Sequence, residues 1–346
     1  MTAVYSSICA AGRHATTIMD SVRWAFRCGS WTPSPTEWLF AARCVQREEK
    51  ERIGQFVFAK DAKLAMAGRL LIRKLISERM GLPWDQIRLE RTAKGKPVLA
   101  NPPSSSETLR WSFNVSHQGE FAVLAAEQGR LVGVDVTKTT MPGSSTVSEF
   151  FRIMTRQFTD HEWMSIKASG PVWTQLDMFH RHWALKESFI KAIGTGLGFN
   201  LQRVEFHISP VQMEQGALLD EHHHVAVAVG RASSSTGDGD RPAFPSDSPS
   251  TFTLLSFSDL VSGAAPLSEE DSSYWRAFGK SRKHRPARAP YPNESRIQPG
   301  KSGIVPYLGW PMTLNPVSHL TAHCKCGYFL CRLDEVHSYR VMCTLA

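Results

Sequence analysis

An aspartate stands inside a strongly apolar run, Leu131-Val-Gly-Val-Asp-Val136. A carboxylate in such surroundings is costly unless a cation or hydrogen-bond donors meet it, so Asp135 is a candidate metal ligand. Gly133 comes two residues earlier and therefore lies on the same face of a strand, where it leaves room for another backbone. The alternative is an aspartate at a strand end that accepts hydrogen bonds from a nearby turn.

A second charged pair lies in the segment Trp183-Ala-Leu-Lys-Glu-Ser-Phe-Ile-Lys191. At 3.6 residues per turn, Glu187 and Lys191 lie one turn apart on one side of a helix. Apolar residues flank them on two faces, so we expect the helix to be buried on two sides, where charged groups need partners. Either the two residues form a structural ion pair or they act on a ligand.

Two polar segments precede these motifs. Arg91-Thr-Ala-Lys-Gly-Lys96 sets three cations around a glycine, which suits a phosphate-rich ligand, although a solvated turn is the alternative. Phe113-Asn-Val-Ser-His-Gln118 places Ser116, His117 and Gln118 directly before an apolar run. A lone histidine there is more often a structural hydrogen-bonding group than a catalyst, so neither segment identifies a reaction alone.

The elements that must position these residues follow from periodicity and from glycine and proline. The sequence predicts a strand and helix start within 23–40, one helix over 46–80 ended by Gly81, and short strands at 87–89 and 97–99. The apolar runs 121–126 and 131–136 predict a β-hairpin that turns at Gly129. A long helix is predicted over 175–193, with Thr174 and Asp177 as its capping pair and Gly194 as its stop. Further strands are predicted at 203–208, 225–229 and 252–257.

Composition sets wider limits. The chain has 346 residues, of which 42% are hydrophobic, and a net charge of +8. That charge favours phosphates or acidic protein surfaces as partners. No run approaches the roughly 18 apolar residues of a membrane span, and residues 1–20 lack the pattern of a signal peptide. Seven cysteines are spread unevenly and are typical of a reduced cytosolic protein, although a zinc site is an alternative for the tail, at Cys324, Cys326, Cys331, His319 and His323.

Both halves of the chain show a helix followed by paired strands. This pattern predicts a pseudo-duplicated α+β fold with disordered termini. A single mixed sheet covered by helices is the alternative. The expected divisions are a variable tail 1–21, subdomains 22–130 and 131–278 with a flexible insertion at 232–250, and a divergent tail 279–346.

Taken in order, the four motifs resemble the 4′-phosphopantetheinyl transferases, whose signatures are a Gly-hydrophobic-Asp strand and a Lys-Glu-small-x-x-Lys helix. Residues from Val22 to about Phe278 are similar to the large, monomeric eukaryotic type with broad carrier specificity, and Glu48-Glu-Lys-Glu-Arg-Ile-Gly-Gln-Phe-Val-Phe58 supports this closer match. The family implies an α+β fold of two pseudo-symmetric subdomains, each a small antiparallel sheet packed against a long helix, with the active site at their interface. It also implies transfer of the phosphopantetheine of coenzyme A to a carrier serine, with adenosine 3′,5′-bisphosphate as the other product.

The resemblance also implies roles for individual residues. Asp135 and Glu187 would hold Mg²⁺, and Gln118 would be the third ligand because Thr137 stands where many members of the family have an acid. Glu187 would be the base, and Lys191 would stabilise the phosphate or the leaving group. Coenzyme A contacts are expected from Arg52, Arg91, Thr92, Ala93, Lys94, Gly95, Lys96, Asn114, Val115, Ser116 and His117, the last meeting the 3′-phosphate.

By the same resemblance we expect a holo-[acyl-carrier-protein] synthase of the cytosol. Its partners would be coenzyme A, apo acyl carrier protein, and the carrier domains of fatty acid synthase and of enzymes of the aminoadipate-semialdehyde dehydrogenase type. Neither nucleic acid nor membrane is expected as a partner. Two other functions remain as alternatives: a magnesium-dependent nucleotide phosphohydrolase, and a nucleic-acid-binding protein suggested by the basic segment 280–285.

Overall fold

The computed structural model describes residues 21–93, 95–100, 102, 110–208, 219–232, 251–280 and 339–345. The predicted tail 1–20, Lys94, the insertion from 233 and the cysteines at 324, 326 and 331 lie outside these residues. Nothing among the described helices is both long enough and apolar enough to cross a bilayer.

The first half of the chain supplies three strands of a four-stranded sheet, which a later segment completes, and packs a 22-residue helix on it. The sheet has the order β4-β5-β1-β8, in which β8 joins β1 in parallel and the other pairs are antiparallel. Its strands are β1 (Ser21–Arg27), β4 (Trp111–Gln118), β5 (Phe121–Gln128) and β8 (Thr253–Leu255), and a separate hairpin joins β2 (Leu89–Arg91) to β3 (Pro97–Leu99). The helices are α1 (Pro35–Arg43), α2 (Arg47–Gly54) and α3 (Ala59–Met80).

The second half repeats this plan with a three-stranded antiparallel sheet and a second 22-residue helix. The sheet has the order β6-β7-β9, with β6 (Leu131–Lys138), β7 (His223–Ala232) and β9 (Tyr339–Leu345). Its helices are α4 (Val147–Ile153), α5 (Asp160–Ala168) and α6 (Val172–Ile193). Two later helices complete the fold, α7 (Phe257–Leu260) and α8 (Ser272–Lys280), and both pack against the core of the first half.

The two sheets pack face to face, and each long helix covers the outer face of its own sheet. Alternate residues of β6 and β7 point to opposite sides: the valines at 132, 134, 136, 225, 227 and 229 meet β5, whereas Ala226 and Ala228 pack beneath α6. Strand β5 is buried on both faces, by α3 on one side and by the second sheet on the other. The α+β prediction of two similar halves is therefore confirmed.

Several predicted elements need correction. The helix expected over 46–80 is two helices, because the chain leaves the helical conformation at Phe58 (φ −108°, ψ 129°) between α2 and α3. The hairpin expected at Gly129 does not form, since β5 pairs with β1 and β4 while β6 pairs with β7. The tight hairpin is instead β4–β5, which turns at Gly119 with φ 62°.

Three smaller differences concern the second half. Helix α6 begins at Val172 after Pro171, so Thr174 and Asp177 lie inside it and are not its cap, whereas its predicted end at Gly194 is confirmed by a φ of 69°. Residues 204–208 form no strand. The tail expected from 279 onward contains β9, which pairs along β7.

Candidate active site

Side chains of β4 connect the two sheets at their edges. Val134, Val136 and Lys138 of β6 donate their backbone N–H groups to Asn114 Oδ1 (3.1 Å), Ser116 Oγ (3.3 Å) and Gln118 Oε1 (3.0 Å). The acceptors come from every second residue of β4, so they share one face and match the two-residue repeat of β6. This side-chain ladder satisfies N–H groups on the edge of β6 that would otherwise lack a strand partner.

Helix α6 approaches β6 very closely at Gly133. A Cβ atom added there would lie 2.1 Å from the carbonyl oxygen of Ser188 and 2.4 Å from the amide nitrogen of Ala192, both backbone atoms of the helix. Only glycine allows this contact. As a result, the face of β6 that carries Gly133 and Asp135 lies directly against the turn of α6 that carries Glu187 and Lys191.

Asp135 is 7% exposed and is held from both halves of the molecule. Its Oδ1 accepts hydrogen bonds from Lys191 Nζ at 2.6 Å and from Ser116 Oγ at 2.9 Å. Lys191 Nζ also donates to Ser116 Oγ at 3.0 Å and to the carbonyl of Val134 at 3.2 Å. The ion pair of Lys191 is thus made with Asp135 across the helix–strand contact, which differs from a pair along the helix with Glu187.

These residues face a cavity of about 520 Å³ between the two halves. Helix α3, the β2–β3 hairpin and β4 supply one wall, while β6 and α6 supply the other. The residues lining it are Arg69, Arg91, Gly95, Pro97, Val115, Ser116, His117, Gln118, Asp135, Val136, Thr137, Trp183, Glu187 and Lys191.

Glu187 lies close enough to Asp135 for the two carboxylates to interact. Burial and the charge of Asp135 raise the pKa of Glu187, against the opposing effect of Lys191. Two carboxylates that repel each other in one cavity are a suitable site for a divalent cation, which would remove the repulsion. The oxygen donors present therefore fit a hard cation such as Mg²⁺.

Gln118 and Thr137, the two candidate positions for a third ligand, both already make hydrogen bonds within the protein. Gln118 lines the cavity, but its Oε1 accepts the N–H of Lys138 within the side-chain ladder. Thr137 also lines the cavity, and its hydroxyl donates to the carbonyl of His180 at 3.2 Å. Asp135 and Glu187 are thus the carboxylates at the site, and the assignment of Gln118 as third ligand stays a prediction.

The first lysine of the helix motif has a structural environment. Lys186 and Glu162 are fully buried and form an ion pair of 2.7 Å. Lys186 Nζ also donates to the carbonyls of Leu201 and Val204, each at 2.8 Å. Lys186 therefore anchors α6 to α5 and to the chain that follows α6, and this contact fixes the neighbouring residue, Glu187.

A cluster of arginines surrounds one buried carboxylate and contributes Arg69 and Arg91 to the opposite wall of the cavity. Glu49 accepts from Arg91 at 3.0 Å and from Arg52 at 3.1 Å, and it forms an ion pair with Arg69 at 3.5 Å. Although burial opposes the shift, Arg69, Arg91 and Arg52 lower the pKa of Glu49. One carboxylate balances only one of three guanidinium charges, so the cluster keeps a positive charge that suits phosphate groups.

Arg69 is a residue that sequence reasoning missed. It lies on α3 inside the apolar run Met66-Ala-Gly-Arg-Leu-Leu-Ile72, is 7% exposed, and lines the cavity. Its Nε is buried without a hydrogen-bond acceptor, its Nη1 faces Glu49 Oε1 at 3.5 Å without forming a hydrogen bond, and burial lowers its pKa to about 10. An arginine within an apolar helix was the available signal, but Arg73 shares that signal and instead donates to the carbonyls of Trp84 and Ile87.

The expected coenzyme A contacts divide into two groups. Arg91, Gly95, Val115, Ser116 and His117 line the cavity, and the Arg91 guanidinium also donates to the carbonyl of Gly95 at 3.1 Å. Desolvation in the cavity, with Lys191 and Arg69 nearby, lowers the pKa of His117, which favours a neutral imidazole at pH 7. The expected contacts that do not line the cavity are Arg52, Thr92, Ala93, Lys96 and Asn114, while Lys94 lies outside the described residues.

Comparison with known families gives two adjoining matches. A family model described as 4′-phosphopantetheinyl transferase, N-terminal, matches residues 29–129. A second, described as the 4′-phosphopantetheinyl transferase superfamily, matches residues 131–240. The matches meet at the passage from β5 to β6, where the chain leaves the first sheet and enters the second.

Individual proteins agree with these matches. The L-aminoadipate-semialdehyde dehydrogenase-phosphopantetheinyl transferase of Xenopus laevis is 56% identical over 282 residues, which cover 75% of this chain and 92% of that protein. The human protein of the same name is 52% identical over 284 residues, with 75% and 91% covered. A phosphopantetheinyl transferase of Thraustochytrium is 38% identical over 226 residues, with 60% and 77% covered. These matches give no support to a phosphohydrolase or a nucleic-acid-binding protein.

Proposed function

The chain belongs to the 4′-phosphopantetheinyl transferase superfamily, and on that premise we propose how its cavity transfers phosphopantetheine from coenzyme A to a carrier protein. The observation that carries the proposal is the meeting of Asp135, Glu187 and Lys191 opposite the arginine cluster in a single cavity. One wall offers carboxylates and an ammonium group, and the other offers guanidinium groups. Coenzyme A carries a pyrophosphate and a separate 3′-phosphate. A metal ion held by the carboxylates would bind the pyrophosphate, and the guanidinium groups would bind the nucleotide end.

We assign the metal-binding role to Asp135 and Glu187, with Gln118 as the third ligand, and the metal to Mg²⁺. Bound there, Mg²⁺ would neutralise negative charge on the pyrophosphate. The ion pair between Lys191 and Asp135 supports this role, because the carboxylate already pairs with a cationic group. Lys191 would then release Asp135 and contact a phosphate oxygen.

The reaction needs one proton transfer and one substitution at phosphorus. Glu187 accepts the proton of the carrier serine hydroxyl, and the serine oxygen attacks the β-phosphorus of coenzyme A. The bond between that phosphorus and the bridging oxygen breaks, and adenosine 3′,5′-bisphosphate leaves with the electron pair. Lys191 stabilises the charge that develops, because a preorganised ammonium group in a shielded cavity acts strongly on such charge.

The arginine cluster would bind the nucleotide end of coenzyme A. Arg69 and Arg91 line the cavity, and Glu49 holds both guanidinium groups in place. Arg69 has buried N–H groups without an acceptor, which a phosphate oxygen would supply. His117, placed on the same wall by β4, would meet the 3′-phosphate, and Arg52 would contribute through the cluster.

The finer assignments concern carriers, assembly and location. We propose activity as a holo-[acyl-carrier-protein] synthase that also modifies carrier domains of fatty acid synthase and of aminoadipate-semialdehyde dehydrogenase, the dehydrogenase named in the relatives. We propose a monomer, because one chain supplies both walls of the cavity. We place the protein in the cytosol, where buried free thiols such as Cys28 and Cys44 persist.

Mass spectrometry tests the reaction directly. Apo acyl carrier protein is incubated with the purified chain, coenzyme A and Mg²⁺, and the expected result is a mass gain of one phosphopantetheine group on the carrier. A carrier whose target serine is replaced by alanine is the matched control and should gain nothing. An unmodified wild-type carrier, with coenzyme A hydrolysed instead, would contradict the proposal.

A further inference from the structure

Two histidines and a glutamate meet on the surface of the second half, away from the cavity. The ligand atoms of His161, Glu205 and His207 all lie within 4.8 Å of one another. The rings of His161 and His207 have centroids 4.1 Å apart, and His207 Nε2 lies 2.9 Å from Glu205 Oε1. We infer that these three side chains form a binding site for a zinc ion, separate from the site of the transferase reaction.

The donor set decides the kind of ion. Two imidazole nitrogens and one carboxylate oxygen suit zinc, whereas magnesium and calcium prefer oxygen ligands throughout. Tetrahedral zinc with Zn–N distances of about 2.0–2.1 Å separates its ligand atoms by roughly 3.3 Å. Small rotations of the three side chains would close the observed spacing to that value. Three protein ligands leave a fourth position for water.

The backbone already holds the three residues together. Glu205 and His207 alternate with the buried residues Val204 and Phe206, so both point outward on one side of the chain. The amide of Phe206 donates to Glu162 Oε1 at 2.9 Å. Phe206, which lies between the ligands Glu205 and His207, is therefore bonded to Glu162, which follows the third ligand, His161. This bond fixes the two segments relative to each other.

A neighbouring hydroxyl group orients the carboxylate. Thr159, the N-cap of α5, donates through Oγ1 to Glu205 Oε2 at 2.5 Å. The other oxygen, Oε1, therefore faces the imidazole of His207. Hydrogen-bonding neighbours of metal ligands commonly orient the ligand in this way, as Thr159 does here.

The site is accessible and lies outside the transferase cavity. His161 is exposed, and the side chains of Glu205 and His207 are 18% and 24% exposed. None of the three lines the cavity. A bound zinc ion would connect α5 to the chain after α6, the same two segments that the buried pair of Glu162 and Lys186 joins.

Calorimetry on the metal-stripped full chain tests this inference. Titration with ZnCl₂ should reveal one tight equivalent, and His161→Ala or His207→Ala should weaken it by at least about tenfold. His222→Ala is the matched control, since His222 contacts Trp173, is not one of the three clustered ligands, and should leave binding unchanged. Equal zinc binding by the wild type, both site variants and the control would overturn the inference, as would no binding by the wild type.

Two further measurements separate this site from others. Asp135→Asn should still bind one equivalent of zinc. Loss of zinc binding in Asp135→Asn, together with normal zinc binding in His207→Ala, would place the ion in the transferase cavity and refute the inference. The spectrum of the Co²⁺-loaded chain should lack a thiolate charge-transfer band, and such a band would assign the ion to cysteines. In the absence of zinc, His207→Gln and His207→Ala should have the melting temperature and the transfer rate of the wild type. That result would show that both variants are folded.

Discussion

Replacing Gly133 with alanine should move helix α6 away from strand β6. The added Cβ would lie 2.1 Å from Ser188 O and 2.4 Å from Ala192 N, and ordinary van der Waals contact begins at 3.4 Å. Relief of the shorter contact therefore requires a separation of about 1.3 Å if α6 moves as a rigid body. Both atoms belong to the helix backbone, so no side-chain rotation can accommodate the methyl group.

Two losses follow from that displacement. Overpacking of this kind costs about 1–3 kcal/mol in the free energy of unfolding, and each kcal/mol lowers the melting temperature by about 2–4 °C in a protein of this size class. The same shift carries Glu187 and Lys191 away from Asp135 and opens the 2.6 Å ion pair. A displacement of about 1 Å at reacting groups costs about a hundredfold in rate.

Single-turnover transfer at saturating coenzyme A measures the rate, and circular dichroism measures the melting temperature. Gly143→Ala is the matched control, because no heavy atom lies within 4 Å of a Cβ at that position. A Gly133→Ala enzyme with the wild-type rate and melting temperature would refute the close-contact argument. A lowered melting temperature with the wild-type rate would show that catalysis does not depend on the distance between α6 and β6.

Five further changes test the site and its boundary. Asp135→Ala should abolish transfer with the fold retained, and turnover near wild type at limiting magnesium would contradict its role as a ligand. Arg91→Ala should weaken coenzyme A binding by roughly tenfold to a hundredfold, the loss typical of one charged hydrogen bond, so unchanged affinity by calorimetry would count against the arginine cluster. Glu187→Gln and Lys191→Met should each slow single turnover by about a hundredfold, with the lysine variant keeping coenzyme A binding, whereas normal rates with a lowered melting temperature would make both residues structural. Truncation after Lys280 removes β9 but keeps every residue that lines the cavity and the stacking of Phe278 on Trp38, so transfer should be preserved, and an insoluble product would show that β7 requires β9.

Local signals in the sequence predicted where the long helices end. Gly81 and Gly194 both take the left-handed conformation, with φ near 69°, as the glycines that stop α3 and α6. The start of α6 was placed three residues late, because Thr174 and Asp177 resemble a cap but lie beyond Pro171. A proline before a helix and a capping pair within it compete as start signals, and sequence alone does not rank them.

Strand pairing was harder to predict, because it depends on contacts distant in the chain. The runs at 121–126 and 131–136 are separated by a short polar segment with a glycine, which is the local pattern of a hairpin. They instead belong to two sheets, packed face to face. Their continuous apolar character is the signature of burial on both faces, and a strand of a half-exposed hairpin would alternate instead.

The segment 204–208 shows why an alternating pattern can mislead. Val204 and Phe206 are buried and their neighbours point outward, as in a strand. However, the amide of Phe206 is satisfied by the side chain of Glu162 and not by another strand. An alternating pattern indicates which side of an extended chain is buried. It does not indicate whether the backbone pairs with another strand or with a side chain.

The candidate site could be predicted to the level of its motif residues but not to the level of their contacts. Asp135 and Gly133 were expected on one strand face, and they lie together against α6. Arg69 could not be separated from Arg73, because both are arginines in the same apolar helix. Which one reaches the cavity depends on four-residue spacing along α3 and on what covers each turn.

The side-chain ladder of β4 explains why the fold and the site depend on each other. Asn114, Ser116 and Gln118 take the place of a neighbouring strand for β6, so they hold the two halves together. Ser116 accepts from the backbone of β6 and also contacts Asp135 and Lys191, so a residue that joins the halves also orients the charged groups. A cavity with carboxylates on one wall and arginines on the other therefore exists only when both halves are docked, and any change that loosens the ladder should affect stability and transfer together.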